Sequence, residues 1–118
     1  MHTAEHAMAI DMQQCIDECL SCCEACVRTL SYWFERRGKH VLAEEIRALS
    51  DCAAICQTSA GFMLRGSPFH ARACGVCAEV CAECERQCRR LTDDERMRLC
   101  ADTCRQCAES CERIAKAA

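Results

Sequence analysis

Thiol and hydrophobic side chains recur along this chain at steps of three and four residues, with charged and polar residues between them. The clearest run is Cys74, Cys77, Cys81, Cys84 and Cys88. Side chains at these steps lie on one face of an α-helix. The same positions form the buried seam of a helical bundle, where leucine and isoleucine are usual. The pattern therefore predicts helices whose buried faces are lined with cysteine.

End signals divide this periodicity into four helices. Gly38 follows two arginines, which suits the C-terminal end of a helix. At Gly66, Ser67 and Pro68 the chain breaks, with glycine ending one helix, serine capping the next and proline in its first turn. A Thr-Asp-Asp-Glu run then has the capping-box pattern. The predicted ranges are Thr3–Arg37, His40–Arg65, Pro68–Arg90 and Thr92–Lys116.

Short connections predict that successive helices are antiparallel neighbours. The predicted fold class is therefore all-α, an antiparallel up-down-up-down four-helix bundle with a cysteine-lined core. In an antiparallel hairpin, residues at one level have a constant sum of residue numbers, and this rule brings cysteine opposite cysteine in both hairpins. The predicted pairs are Cys74–Cys111, Cys77–Cys107, Cys81–Cys104, Cys84–Cys100, Cys19–Cys56 and Cys23–Cys52, with Met97 opposite Cys88 and Met63 opposite Met12.

Composition limits the class of protein. A chain of 118 residues is expected to form a single domain over residues 1–118. A net charge of −3, with acids and bases interspersed, leaves no basic patch for nucleic acid. No apolar stretch reaches transmembrane length, so no membrane partner is expected. The N-terminus lacks a basic segment and Asp11 interrupts any apolar run, so we expect a cytoplasmic protein with reduced thiols.

The up-down-up-down order gives the bundle two different ends. One end, called the mouth below, collects side chains with soft or imidazole ligand atoms: His6, Met8, Met12, Met63 and His70. His70 lies four residues before Cys74 and is therefore expected on the seam. The opposite end, called the plug, is predicted to be apolar and to contain Leu30, Trp33, Leu42, Ile46 and Leu49.

Sixteen cysteines are compatible with several kinds of thiol chemistry. Disulfides fit poorly, because facing helices lie about 8–10 Å apart and a disulfide needs Cα atoms within about 7 Å. Iron–sulfur proteins use a different spacing followed by proline, and a redox Cys-x-x-Cys enzyme needs a βαβ context. Structural zinc takes four ligands and leaves most of the cysteines unexplained. A zinc or general thiol-rich metal buffer stays open as one alternative, and a thiol–disulfide redox protein as another.

Monovalent copper fits the pattern best. Thiolates select Cu(I), and neighbouring sulfurs can share several such ions. One ion per thiolate leaves the core near neutral, whereas bare buried thiolates are costly. Without metal the thiols are expected to stay protonated, so that the bundle folds empty. The prediction is a binding protein for multiple Cu(I) ions and no enzyme. Its predicted ligands are Cys15, Cys19, Cys22, Cys23, Cys26, Cys52, Cys56, Cys74, Cys77, Cys81, Cys84, Cys88, Cys100, Cys104, Cys107 and Cys111, with Met12, Met63, His70, His6 and Met8 at the mouth.

The tandem Cys-x3-Cys and Cys-x2-Cys runs on four predicted helices, with Ser67-Pro68-Phe69 opening the third, resemble the bacterial copper storage proteins. The resemblance covers nearly the whole chain and is closer to the cytosolic branch of that family. It implies a four-helix bundle, usually a homotetramer, that stores many Cu(I) ions and fills at one end. The chain departs from the family at Ser59, because relatives tend to carry more cysteine on the second helix. It also departs at Cys23, which is adjacent to Cys22, so that both cannot point squarely inward.

Overall fold

Four α-helices make up the described part of the molecule, as the sequence predicts. The structure is a computed structural model that describes residues 2–37, 42–91 and 93–117, with the side chains of 2–7 and 37 left out. The helices are α1 (His2–Arg37), α2 (Ala43–Arg65), α3 (His70–Arg89) and α4 (Glu95–Ala117). The predicted Gly38 helix end and the predicted start at His40 fall outside the described residues.

The helices pack in the predicted antiparallel order. Contacts run between α1 and α2, α2 and α3, α3 and α4, and α1 and α4, so that each helix touches two neighbours around a shared core. The bundle measures 54 × 22 × 18 Å. Its length is that of α1 alone, because 36 residues at about 1.5 Å per residue span about 54 Å. The three shorter helices pack along part of that length, with α2 and α4 in contact with α1. Within the described residues, no helix is both long and apolar enough to cross a membrane.

The break between α2 and α3 is set by a glycine and a serine. Gly66 has a φ of 67°, and its N–H donates to the Met63 carbonyl while that of Ser67 donates to the Phe62 carbonyl. These two bonds form a Schellman motif, which confirms the predicted glycine end. The Ser67 hydroxyl accepts the Phe69 N–H at 3.1 Å, yet regular α-helix begins only at His70. The predicted start at Pro68 is therefore two residues early, because a turn separates the serine from α3.

A different residue from the predicted threonine caps α4. The side chain of Asp94 accepts the N–H of Met97 at 3.1 Å, and α4 begins at Glu95. This is the contact of an N-cap residue with the third helical position. Thr92, the first residue of the predicted capping box, falls outside the described residues. The capping role therefore belongs to Asp94, because only a residue immediately before the helix can reach that amide.

The plug end is more polar than predicted. Trp33 and Leu49 are buried and Leu30 is half-buried, as expected, but Leu42 is 49% exposed and Ile46 is only half-buried. The prediction for Leu42 is wrong because it precedes α2 in extended backbone, so the buried face of α2 starts later. The buried face of α2 also includes a charged residue, Glu45, whose carboxylate accepts the indole N–H of Trp33.

Candidate metal centre

Cysteine forms most of the core. Fifteen of the sixteen cysteines are at most 2% exposed, and all sixteen are free thiols. They occupy the inward positions of all four helices, as the 3–4 spacing predicts. The exception is Cys23, which is half-buried and packs against the outside of the core. The structure therefore confirms that the thiols converge inside the bundle.

Sulfur atoms of different helices lie in direct contact. The shortest separations are Cys19–Cys111 and Cys52–Cys81, each 3.5 Å between Sγ atoms. Many contacts cross between α1 and α4 and between α2 and α3, and others run diagonally, as between Cys56 and Cys107 at 3.8 Å. The sulfurs therefore join all four helices, whereas the residue-number rule paired cysteines only within each hairpin.

One predicted pair is wrong. The residue-number rule placed Cys23 opposite Cys52, but the Sγ atom of Cys22 lies 3.6 Å from that of Cys52. Adjacent residues on a helix point about 100° apart, so only one of the two can face the bundle axis. Cys22 takes that position, because it continues the buried seam from Cys15 and Cys19 to Cys26.

The sulfurs form five overlapping groups whose members all lie within 4.8 Å of one another. One group, the mouth triad, has three members, and the other four groups have four each. From the mouth inward, the groups are Cys15/Cys74/Cys111, Cys19/Cys77/Cys107/Cys111, Cys56/Cys77/Cys81/Cys107, Cys22/Cys52/Cys56/Cys81 and Cys22/Cys26/Cys52/Cys104. Each group shares at least one cysteine with the next, so the thiols form a continuous column.

The links in this column are unequal. Consecutive four-membered groups share two cysteines, whereas the mouth triad shares only Cys111 with the group below it. Toward the plug the packing loosens, since Cys84 lies 4.0 Å from Cys26, and neither Cys88 nor Cys100 belongs to any of the five groups. Cys88 and Met97 are both buried, and their predicted pairing stays a prediction.

Burial and mutual hydrogen bonding favour the neutral thiol at several positions. A hydrogen bond with Cys107, further bonds to neighbouring thiols and burial together raise the pKa of the Cys56 thiol. Burial also raises the pKa of Cys23. Metal binding needs the thiolate, so a cation that enters must displace protons. The thiol of Cys56 is therefore suited to be protonated in the empty core and deprotonated in the loaded one.

A cavity of about 180 Å³ opens at the mouth, directly above the mouth triad. Its lining includes Met12, His70 and Ile114, which lie three or four residues, about one helical turn, beyond Cys15, Cys74 and Cys111 respectively. Three helices thus each place one cavity residue above one triad cysteine. Met8, Asp11, Arg113 and Ala117 complete the lining.

The hydrogen bonding of His70 leaves one nitrogen free for a ligand. Its Nδ1 lies 2.8 Å from the carbonyl oxygen of Ser67. A carbonyl oxygen only accepts, so Nδ1 carries the proton and Nε2 of the neutral ring keeps its lone pair. Metal-binding histidines are commonly oriented by a bond of this kind. The turn that delays the start of α3 therefore also orients His70.

The remaining predicted mouth residues differ in position. Met8 is 57% exposed and Met12 is half-buried, and both line the cavity. Met63 is buried but does not line the cavity. The side chain of His6 falls outside the described residues. The structure thus brings together Met8, Met12 and His70.

The sequence does not reveal the structural role of several residues at or near the site. Asp11 and Arg113 line the cavity, yet their spacing resembles that of an ordinary solvated helix face. Ser59 is fully buried and donates a hydrogen bond of 3.2 Å to the Ala73 carbonyl, which positions its hydroxyl toward α3. Ser110 is also buried beside Cys111. Only the packed bundle reveals these positions.

The arrangement can hold soft cations. Thiolate sulfur binds Cu(I) and zinc strongly, and three or four sulfurs within 4.8 Å can all contact one ion. Shared cysteines allow an ion to move to the next group without leaving sulfur.

Comparison with known proteins gives one family. The model of the family described as copper storage protein matches residues 8–116. A curated relative, the uncharacterized cysteine-rich protein YhjQ of Bacillus subtilis, is 33% identical over 76 residues, which cover 64% of this chain and 70% of the relative.

Solved structures with the same fold extend over most of the chain. The Nmul_A1745 protein from Nitrosospira multiformis is 43% identical with a TM-score of 0.85, covering 93% of this chain and 99% of that one. The Cu(I)-bound copper storage protein BsCsp3 is 32% identical with a TM-score of 0.83, covering 89% and 98%. The apo form of copper storage protein 3 from Bacillus subtilis is 33% identical with a TM-score of 0.79, covering 87% and 97%.

Proposed function

The chain belongs to the copper storage protein family, and from this membership we propose that it stores multiple Cu(I) ions on the thiolates of its core. The observation that carries the proposal is the column of five overlapping cysteine groups. A site for one ion needs at most four convergent sulfurs, whereas this bundle buries fifteen.

Charge balance favours a monovalent soft ion. Each thiolate carries one negative charge, and unpaired buried charge is costly. One Cu(I) per thiolate neutralises the column, and bridging sulfurs allow each cysteine to contact two ions. The proposed ligands are the fifteen buried cysteines, with Cys23 as a peripheral ligand at the edge of the core. Loading then releases about one proton per cysteine.

The proposal includes a direction of filling. Copper enters through the cavity lined by Met8, Met12 and His70, passes to the mouth triad and moves inward by thiolate exchange. Met63 and His6 are proposed to assist at the same end. The plug end, where Trp33 and Glu45 form a buried hydrogen bond, is proposed to take no part in this exchange. The protein is proposed to work in the cytoplasm as one domain, as a homotetramer and without catalytic activity of its own.

An anaerobic titration tests storage directly. The reduced protein is loaded with Cu(I), and the copper retained against a competing chelator is counted per chain. We expect a dozen or more ions. Retention of only one or two ions would refute storage. Cys56→Ser, which removes a member of two groups, should lose more copper than Cys23→Ser, which removes none.

Zinc is the second candidate, because tetrahedral zinc is bound by four thiolates at about 2.3 Å and four of the groups have four sulfurs. Because neighbouring groups share cysteines, only a few of them can hold zinc at the same time. Cys22/Cys26/Cys52/Cys104 and Cys56/Cys77/Cys81/Cys107 share no residue, and only the mouth triad remains beside them. Zinc should therefore saturate at two or three ions per chain. A zinc capacity as large as that for Cu(I) would favour a general thiol buffer.

A further inference from the structure

An exposed arginine lines the cavity through which the proposed function has a cation pass. Arg113 lines the mouth cavity together with Met8, Met12 and His70, and it lies two residues beyond Cys111 of the mouth triad. A positive charge at this place opposes the approach of bare Cu(I). A cavity serving a free cation would be better lined by carboxylates.

Arg113 is also free to bind a ligand. Its neighbours on α4 are paired with carboxylates one turn away, Arg105 with Glu109 at 3.9 Å and Lys116 with Glu112 at 2.8 Å. Within the described residues Arg113 takes part in no ion pair or hydrogen bond. The guanidinium therefore offers its full set of donors to whatever occupies the cavity.

Three arginines near this end of the bundle form no ion pair within the described residues, namely Arg65, Arg72 and Arg113. Asp11 on α1 is the one carboxylate in the cavity lining, and within the described residues it forms no ion pair with Arg113. Arg65 at the end of α2 and Arg72 near the start of α3 also form no ion pair there. Because Glu109 and Glu112 are already paired with Arg105 and Lys116, the groups left to act on a ligand near the cavity are mainly cationic.

We propose that the cavity receives copper as an anionic low-molecular-weight thiolate complex of Cu(I), which Arg113 holds above the mouth triad. In a thiol-rich compartment the soft ion is carried by thiolates, and two thiolates on one Cu(I) give a net charge of −1. The guanidinium attracts this charge, and Met8, Met12 and Ile114 contact the organic part. This inference rests on the proposed function, because it concerns the form in which the stored ion arrives.

The transfer balances without an oxidant or a reductant. Two protein thiols exchange with two donor thiolates, so that two Cu–S bonds to the donor break and two to the triad form. Each departing donor thiolate takes the proton that a triad thiol gives up. Copper stays monovalent throughout. The intermediate with copper on two triad thiolates again has a charge of −1, which Arg113 also stabilises.

The test compares two copper donors of opposite charge in stopped-flow loading under anaerobic conditions. The anionic donor is the Cu(I)–glutathione complex, and the cationic donor is tetrakis(acetonitrile)copper(I). Arg113→Gln should slow loading from the anionic donor about three- to tenfold, an effect that shrinks with added salt. The same variant should load from the cationic donor at least as fast as the wild type. Arg113→Lys should retain most of the anionic rate, and Arg72→Gln is the matched control for charge at this end.

Two results would overturn the inference. One is an Arg113→Gln variant with an unchanged rate from the anionic donor or an equal slowing with both donors, since the latter is a structural effect. The other is an Arg72→Gln variant slowed as much as Arg113→Gln, because the end as a whole would then act without a specific contact. If the wild-type protein retains only one or two ions, the proposed storage function itself is refuted. If it stores many ions but Arg113→Gln affects loading from both donors alike, only the role of Arg113 is refuted.

Discussion

Cys111 should control the rate at which copper reaches the interior. It is the only cysteine shared by the mouth triad and the group below it, and its Sγ lies 3.6 Å from Cys15 and 3.5 Å from Cys19. In Cys111→Ser a hydroxyl replaces the bridging thiolate, so an ion held by Cys15 and Cys74 has no sulfur in common with the next group. Other links in the column each have two shared cysteines, so a single loss there leaves a route.

The expected effect separates rate from capacity. One thiol of sixteen is lost, so capacity should fall by only about one or two ions. A barrier raised by about 1.4–2.7 kcal/mol through loss of the bridging ligand slows filling about 10- to 100-fold. Stopped-flow absorbance of the copper–thiolate bands gives the rate, and chelator competition gives the capacity.

The matched control is Cys88→Ser. Cys88 is 1% exposed, lies at the plug end of the column and belongs to none of the five groups. Cys88→Ser buries a hydroxyl and removes one thiol, as Cys111→Ser does. The two variants without metal should therefore unfold at similar temperatures. The reasoning is refuted if Cys111→Ser fills at the wild-type rate, or if Cys88→Ser is slowed as much as Cys111→Ser.

Three further predictions concern the fold. Trp33→Phe should lower the free energy of unfolding by about 1–3 kcal/mol in urea denaturation, because the buried Glu45 carboxylate loses its indole donor; Glu45→Gln keeps an acceptor and should cost less, and equal costs would contradict this. Asp94→Ala should cost about 1 kcal/mol through loss of the cap on Met97, and Asp94→Asn should restore most of it. The empty protein should lose stability above about pH 8.5, the ordinary thiol pKa. Folding raises the pKa of Cys56, so its contribution is complete below the unfolded pKa and is lost as pH rises toward the folded value. Anaerobic urea titrations from pH 7 to 10 measure this, and a flat profile would show that thiol burial contributes nothing.

Much of the architecture could be read from local patterns. The run from Cys74 to Cys88 predicts both a helix and its buried face, because 3–4 spacing has that meaning on any helix. Glycine at position 66 predicts a helix end, because glycine adopts the left-handed conformation freely, and Gly66 has that conformation in the structure. The helix starts were less accurate. Asp93, Asp94 and Thr92 are all good caps, and the sequence could not decide which of them precedes the first helical residue.

Residues at the two ends depended on tertiary packing. Leu42 is apolar and falls on the predicted seam, but it lies before α2 and is exposed, whereas Glu45 is charged and buried against Trp33. Periodicity identifies which face of a helix is buried, but it does not show how far along the helix the other helices cover that face. Arg113 shows the same limit, since only the packing of α1 and α3 against α4 turns an ordinary surface arginine into part of a cavity.

The sequence by itself determined four helices, their antiparallel order and a core of inward-facing thiols, because each follows from spacing along a single helix or from the length of a connection. The three-dimensional structure decided which sulfurs meet. Cys22 rather than Cys23 faces Cys52, and Cys111 alone joins the mouth triad to the column. Contacts among three or four helices depend on the rotation and height of each helix relative to the others. Those quantities are fixed only when all side chains pack together.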